Sequence, residues 1–149
     1  MPYTSPPMPC CGRPSPYCDC SDFLRTPPTL DPSTTTDFIL AWHAVAQHVH
    51  AVTVAKRFWD VDPDTDRNDG EMIALMHSEL SETLEALRHH DHDPFDQHCP
   101  LHRSVAVELA DLVIRVMDFT HARGYNLPSA LIAKAEFNRT RPPRHGKRF

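Results

Sequence analysis

The chain has 149 residues, of which 40% are apolar and 23% charged, and its formal net charge is −5 at pH 7. Such a composition is typical of one globular domain with a hydrophobic core. The negative charge argues against nucleic-acid binding, which relies on basic surface, and no run approaches the roughly 20 apolar residues of a membrane span. The first residues do not resemble a secretory signal, so we expect a cytoplasmic protein without membrane contact.

Residues 1–33 hold most of the fifteen prolines, mixed with Ser, Thr and Cys. Such a segment buries too little apolar surface to offset the entropy of ordering it, so we predict an extended or disordered arm. Four cysteines crowd into it, Cys10, Cys11, Cys18 and Cys20, whereas Cys99 stands alone. They would supply four thiolates to zinc, but the spacing matches no common zinc site, and reduced thiols are the other interpretation.

Residues 34–149 are predicted to form one all-α domain resembling a four-helix bundle. Apolar residues at spacings of three and four predict helices over about 36–59, 71–90, 102–123 and 127–138. The main apolar stripe of the second helix consists of Ile73, Met76, Leu80, Leu84 and Leu87. Ser and Thr side chains at 33–36 suit a helix start, Gly124 suits a helix end, and Pro128 suits a first turn.

Two acidic pairs lie on the second and third predicted helices. Glu79 and Glu82 form one pair and Glu108 and Asp111 the other, each with i, i+3 spacing that puts both carboxylates on one side of a helix. Both pairs border apolar positions, and four neighbouring carboxylates would repel one another without a cation. Magnesium, which takes oxygen ligands, is the first hypothesis. The alternative is a solvent-exposed face on which Asp111 pairs with Arg115 one turn later.

The motif Glu79-Leu-Ser-Glu82, followed after 25 residues by Glu108-Leu-Ala-Asp111, resembles that of the MazG-like all-α nucleoside triphosphate pyrophosphohydrolases. The segments 55–60, 70–82 and 134–147 look like a compact single-domain branch often found in phage and bacterial genomes. The resemblance covers about residues 40–149 and leaves the arm outside.

The resemblance implies Mg²⁺-dependent cleavage between the α- and β-phosphates of a (deoxy)nucleoside triphosphate, with Mn²⁺ as a possible substitute. It implies that all four acids, Glu79, Glu82, Glu108 and Asp111, hold the metal. A carboxylate not fully committed to metal would activate the attacking water. We expect Glu82 in that catalytic role, with Glu79 beside it.

The resemblance also implies substrate-binding residues. Lys134, Asn138 and Arg141 match a K-x-x-x-N-x-x-R pattern and would grip the triphosphate; the alternative is a basic, solvated helix end. Trp59 would stack on the base or sugar unless it belongs to the core, and His43 would reach the nucleotide unless it is a surface side chain. Two departures from the family are noted: Phe137 replaces a tyrosine, and Arg115 stands where some relatives have an aromatic residue.

A homodimer or homotetramer is expected, because so small a bundle cannot cover this much apolar surface, and the family points the same way. The competing hypothesis for function is a non-catalytic helical module that binds a nucleotide or a protein partner.

Overall fold

A computed structural model describes residues 28–60, 66–88 and 95–141. Within these ranges the chain has an isolated bridge between Phe95 and Arg103, no strand, and four helices: α1 (Pro32–Ala55), α2 (Asp69–Arg88), α3 (Ser104–Ala122) and α4 (Leu127–Arg139). The all-α prediction is confirmed. Most of the predicted arm, including its four cysteines, lies outside the described residues, as do 61–65, 89–94 and the basic end at 142–149.

Helix α1 begins earlier than predicted because Asp31 caps it. The Asp31 carboxylate accepts the Ser33 hydroxyl and the Thr34 backbone N–H, the latter at 3.0 Å, and these bonds lower its pKa to about 2. Pro32 then fills the first turn, where its missing N–H is harmless. The helix therefore starts inside the stretch predicted as arm.

The end of α1 also differs from the prediction. The helix stops at Ala55, and Arg57 takes a left-handed conformation with φ of 66°. The backbone N–H of Phe58 donates to the Thr53 carbonyl at 3.0 Å, which closes the turn. Trp59, predicted as the last helical residue, therefore lies in a turn after the helix.

The ends of α3 and α4 follow their sequence signals. Gly124 has φ of 68° just after α3, as expected of a glycine that ends a helix. Pro128 lies in the first turn of α4, and the Asn126 side chain caps that helix by accepting the Ser129 N–H at 3.4 Å. Both predicted roles are confirmed.

Helix α3 packs against α2 and α1, and α4 packs against α1. The buried apolar residues among those described are few: Ala46, Met72, Met76, Met117 and Pro128. At the end of α3, Arg123 donates to the Asp69 carboxylate at 2.7 Å and to the Arg67 carbonyl at 2.6 Å. These hydrogen bonds of Arg123 hold the start of α2 beside the end of α3.

The main apolar stripe of α2 does not form its buried face. Only Met76 of that stripe is buried, whereas its other members are 42–59% exposed: Ile73, Leu80, Leu84 and Leu87. The buried face of α2 instead carries Met72, Met76, Glu79 and Thr83. The reason is that α2 turns its acidic side toward α3, so that no described part of the chain covers the leucine stripe.

Helix α1 likewise leaves most of its surface uncovered. Among the described helices it alone is long and apolar enough, by length and composition, to cross a membrane, and little of it is buried. The sequence pattern did not predict this. A single helix of this kind is weak evidence for a membrane, since helices of soluble proteins meet the same criteria.

Candidate metal centre between α2 and α3

Three of the four predicted acids converge where α2 faces α3. One carboxylate oxygen from each of Glu79, Glu82 and Glu108 lies within 4.8 Å of the other two. The two α2 residues are one turn apart on the same side of the helix, and α3 supplies the third. The residue spacing on each helix and the packing of the two helices together produce the cluster.

Asp111 lies one turn after Glu108, on the wall of the same cleft. The cleft has a volume of about 410 Å³ and is lined by Thr53, Phe58, Arg67, Glu79, Glu82, Asp111, Ile114, Arg115 and Asp118. All four predicted acids therefore belong to the cleft or to the cluster at its edge.

The cluster is electrostatically strained. Burial raises the pKa of Glu108, and repulsion from Glu82, Asp111 and Glu79 adds to the effect. Burial also raises the pKa of Asp111, followed by repulsion from Glu79, while the Arg115 charge partly offsets the increase. A cation bound among these groups would relieve that strain, because it favours their charged forms.

Glu79 is the most buried member of the cluster, with 4% of its surface exposed. Its carboxylate accepts a hydrogen bond from Nε of Arg115 on α3 and forms an ion pair with it. In the alternative of a solvent-exposed face, Arg115 would pair with Asp111 one turn away on the same helix. The ion pair that the structure gives Arg115 crosses instead to Glu79 of α2.

Asp118 forms a polar network that the sequence did not reveal. It is 6% exposed, and its Oδ1 accepts from the Thr53 hydroxyl at 2.8 Å and the Trp59 indole N–H at 3.1 Å, with His50 Nδ1 at 2.7 Å. A signal was present, since Asp118 follows Asp111 by seven residues and so shares its side of α3. The same position was compatible with a solvent-exposed aspartate.

Trp59 is held at both its edge and its face. Its indole N–H is directed at Asp118, the Arg67 guanidinium lies 5.0 Å from its ring centre, and the His50 ring packs against it at 5.2 Å. Trp59 is half-buried in this network and is not among the residues that line the described part of the acidic cleft. His43 is exposed on α1 and is not among the residues that line the acidic cleft.

The predicted triphosphate-binding residues lie elsewhere in the chain. Lys134 and Asn138 line a separate apolar groove along α4, and Lys134 Nζ and the Arg141 guanidinium sit 4.8 and 5.4 Å from the Phe137 ring centre. None of the three lines the described part of the acidic cleft. The cations on that wall are instead Arg67 and Arg115, whose roles the sequence did not indicate.

The donor set of the cluster consists of carboxylate oxygens, which suits Mg²⁺ or Mn²⁺ better than zinc. The residues present therefore fit a hard divalent ion.

No protein-family model, curated protein or solved structure matches the chain.

Proposed function

We propose that this protein is a Mg²⁺-dependent nucleoside triphosphate pyrophosphohydrolase similar to the MazG-like family. The observation that carries the proposal is the convergence of Glu79, Glu82 and Glu108 within 4.8 Å, with Asp111 on the adjoining cleft wall. Helices α2 and α3 turn their acidic sides toward each other, although this leaves the leucine stripe of α2 exposed. That packing supports a binding site rather than a solvated face. A module whose acids are merely solvated would not bury Glu79 between two helices.

In this proposal all four acids, Glu79, Glu82, Glu108 and Asp111, surround the metal, and Glu82, the one least committed to it, is also the base. A bound Mg²⁺ would draw charge from the phosphates and make a neighbouring water more acidic. Glu82 is the exposed member of the cluster, so it can take the proton of the attacking water. The water oxygen bonds to the α-phosphorus, the bond to the β-phosphate oxygen breaks, and pyrophosphate leaves with monophosphate as the other product.

The test is pyrophosphate release from a panel of nucleoside and deoxynucleoside triphosphates, with Mg²⁺, with Mn²⁺ and with EDTA. We expect turnover with either metal, none with EDTA, and at least a hundredfold loss in Glu82→Gln. Glu85→Gln is the matched control, since Glu85 lies on α2 next to the exposed Arg88, at 3.0 Å. Nucleotide binding without turnover would favour the non-catalytic module.

Assembly into a homodimer or homotetramer is part of the proposal. The exposed leucine stripe of α2 and the largely uncovered α1 need a cover, and a second copy would supply it. A second copy could also bring Lys134 and Asn138 of its α4 to the cleft of the first. Mixing Glu82→Gln with Lys134→Ala subunits tests this: shared sites would restore part of the activity, and independent sites would not.

A further inference from the structure

Arg115 places its positive charge beside Glu79, the most buried acid of the cluster. Glu79 is 4% exposed, and a carboxylate so far from water is costly unless an opposite charge compensates it. The Arg115 guanidinium provides that charge through its Nε. In the arrangement described here, Arg115 is therefore the counter-ion of Glu79.

The Arg115 guanidinium lies where it can exchange Glu79 for a partner in the open cleft. The Arg115 side chain is 39% exposed and lines the open cleft, whereas Glu79 is fixed inside the helix pair. A divalent ion bound by Glu79, Glu82 and Glu108 would compensate Glu79 more strongly and would repel the guanidinium a few ångströms away. Arginine then has a better partner in phosphate, which it binds through two parallel N–H donors.

We infer that Arg115 is a metal-released phosphate-binding residue: it neutralises Glu79 without metal, and it turns to the substrate triphosphate when metal takes Glu79. This inference rests on the metal-dependent function proposed above. It assigns the phosphate grip within one chain to a residue on the cleft wall, where Lys134, Asn138 and Arg141 do not lie.

The experiment compares Arg115→Gln with wild type in EDTA and in saturating Mn²⁺, without nucleotide. In EDTA the variant should melt at a lower temperature, because Glu79 loses its counter-charge. In Mn²⁺ the two proteins should melt together, and Mn²⁺ titration followed by EPR should show roughly tenfold tighter binding to the variant. Arg88→Gln is the matched control, since it removes an exposed Arg–Glu pair on α2 and should change neither quantity.

Arg115→Lys covers the case in which the glutamine variant does not fold. Lysine keeps the positive charge but lacks the forked N–H donors of arginine. The Arg115→Lys protein should therefore melt at a lower temperature than wild type in EDTA and at the same temperature in Mn²⁺. Its KM for the nucleotide should rise about tenfold with kcat less affected.

A melting deficit that persists in saturating Mn²⁺, or unchanged Mn²⁺ affinity, would mean that Arg115 stays on Glu79. The inference would then be wrong while the proposed function stands. A wild-type protein that binds no Mn²⁺ would overturn both.

Discussion

The indole nitrogen of Trp59 lies 3.1 Å from Oδ1 of Asp118, to which it donates a hydrogen bond from the turn after α1. This bond joins the end of α1 to α3 at the wall of the acidic cleft. Thr53 and His50 meet the same carboxylate oxygen, so one buried aspartate organises residues from α1, the following turn and α3.

Asp118→Asn should therefore destabilise the fold. The amide lacks the negative charge of the carboxylate that Thr53, His50 and Trp59 contact. We expect the free energy of unfolding to fall by about 2 kcal/mol. Trp59→Phe removes the indole N–H and shrinks a ring that packs on Arg67 and His50, so it should cost at least about 1 kcal/mol. Urea unfolding followed by circular dichroism measures both. Asp60→Asn, at an exposed site, is the control and should stay within about 0.5 kcal/mol of wild type.

Neutralising single acids of the cluster should have opposite effects on stability, depending on the residue. Glu82→Gln and Asp111→Asn relieve repulsion, so in EDTA they should melt at or above the wild-type temperature while losing turnover. Glu79→Gln removes the buried partner of Arg115 and should melt lower. Differential scanning fluorimetry in EDTA gives the sign for each. Unaltered turnover in Glu82→Gln and Asp111→Asn would end the metal-site hypothesis, and an unchanged melting temperature in Glu79→Gln would contradict the role given to its ion pair.

Stability without metal should fall as Glu108 ionises. Because burial and repulsion raise its pKa above the ordinary 4.5, the folded protein binds this proton more readily than the unfolded chain. The stability contributed by the protonated side chain is thus present at low pH and is lost as pH rises through the raised pKa. Asp111 acts in the same direction.

Measured in EDTA, wild type should lose melting temperature relative to Glu108→Gln as pH rises from about 4 to 7. The comparison with the variant cancels the titration of groups elsewhere in the chain. A constant difference over this range would contradict the assignment of strain to Glu108. In saturating Mg²⁺ the sign should reverse, because a bound cation favours ionised Glu108 and the variant lacks that ligand.

Charging the exposed stripe of α2 should disrupt assembly. Leu84→Glu places a carboxylate in a row that no described part of the same chain covers, and a second copy would have to bury it. Sedimentation velocity should show a smaller species, with secondary structure retained. Leu101→Glu is the control, because Leu101 is 86% exposed and outside the helices. A wild-type monomer at micromolar concentration would contradict the proposed oligomer.

Truncation should depend on where the cut falls. Removal of residues 1–27 leaves Asp31 in place to cap α1, so fold and activity should persist. Removal of residues 1–32 also deletes the cap and the first-turn proline, and the melting temperature should fall further. Thermal melts of the two truncations decide between these outcomes. Loss of activity in the shorter deletion, or stoichiometric zinc in the full chain, would give the arm a role that we do not assign to it.

Much of the fold follows from local signals. Periodicity predicted all four described helices, and Gly124 and Pro128 marked boundaries correctly because their conformational limits act at the residue itself. The end of α1 was missed because Arg57 adopts a left-handed conformation that arginine does not favour. The start was missed because Asp31 lay within a proline-rich stretch.

The site was only partly predictable, for a different reason. Helical spacing put Glu79 beside Glu82 and Glu108 beside Asp111, but which faces of α2 and α3 meet is decided by tertiary packing. The leucine stripe is the most apolar side of α2, yet the structure buries the side with Glu79 and Thr83. The ion pair of Arg115 with Glu79 depends on that packing, so helical spacing alone could offer only a partner on the same helix, Asp111.

The most direct test of the central claim is ³¹P NMR of the products formed from a triphosphate with Mg²⁺ in ¹⁸O-labelled water. The account predicts monophosphate and pyrophosphate in equal amounts, with the label on the monophosphate because water attacks the α-phosphorus. Release of orthophosphate, or no turnover of any nucleotide in the panel with Mg²⁺ or Mn²⁺, would contradict it.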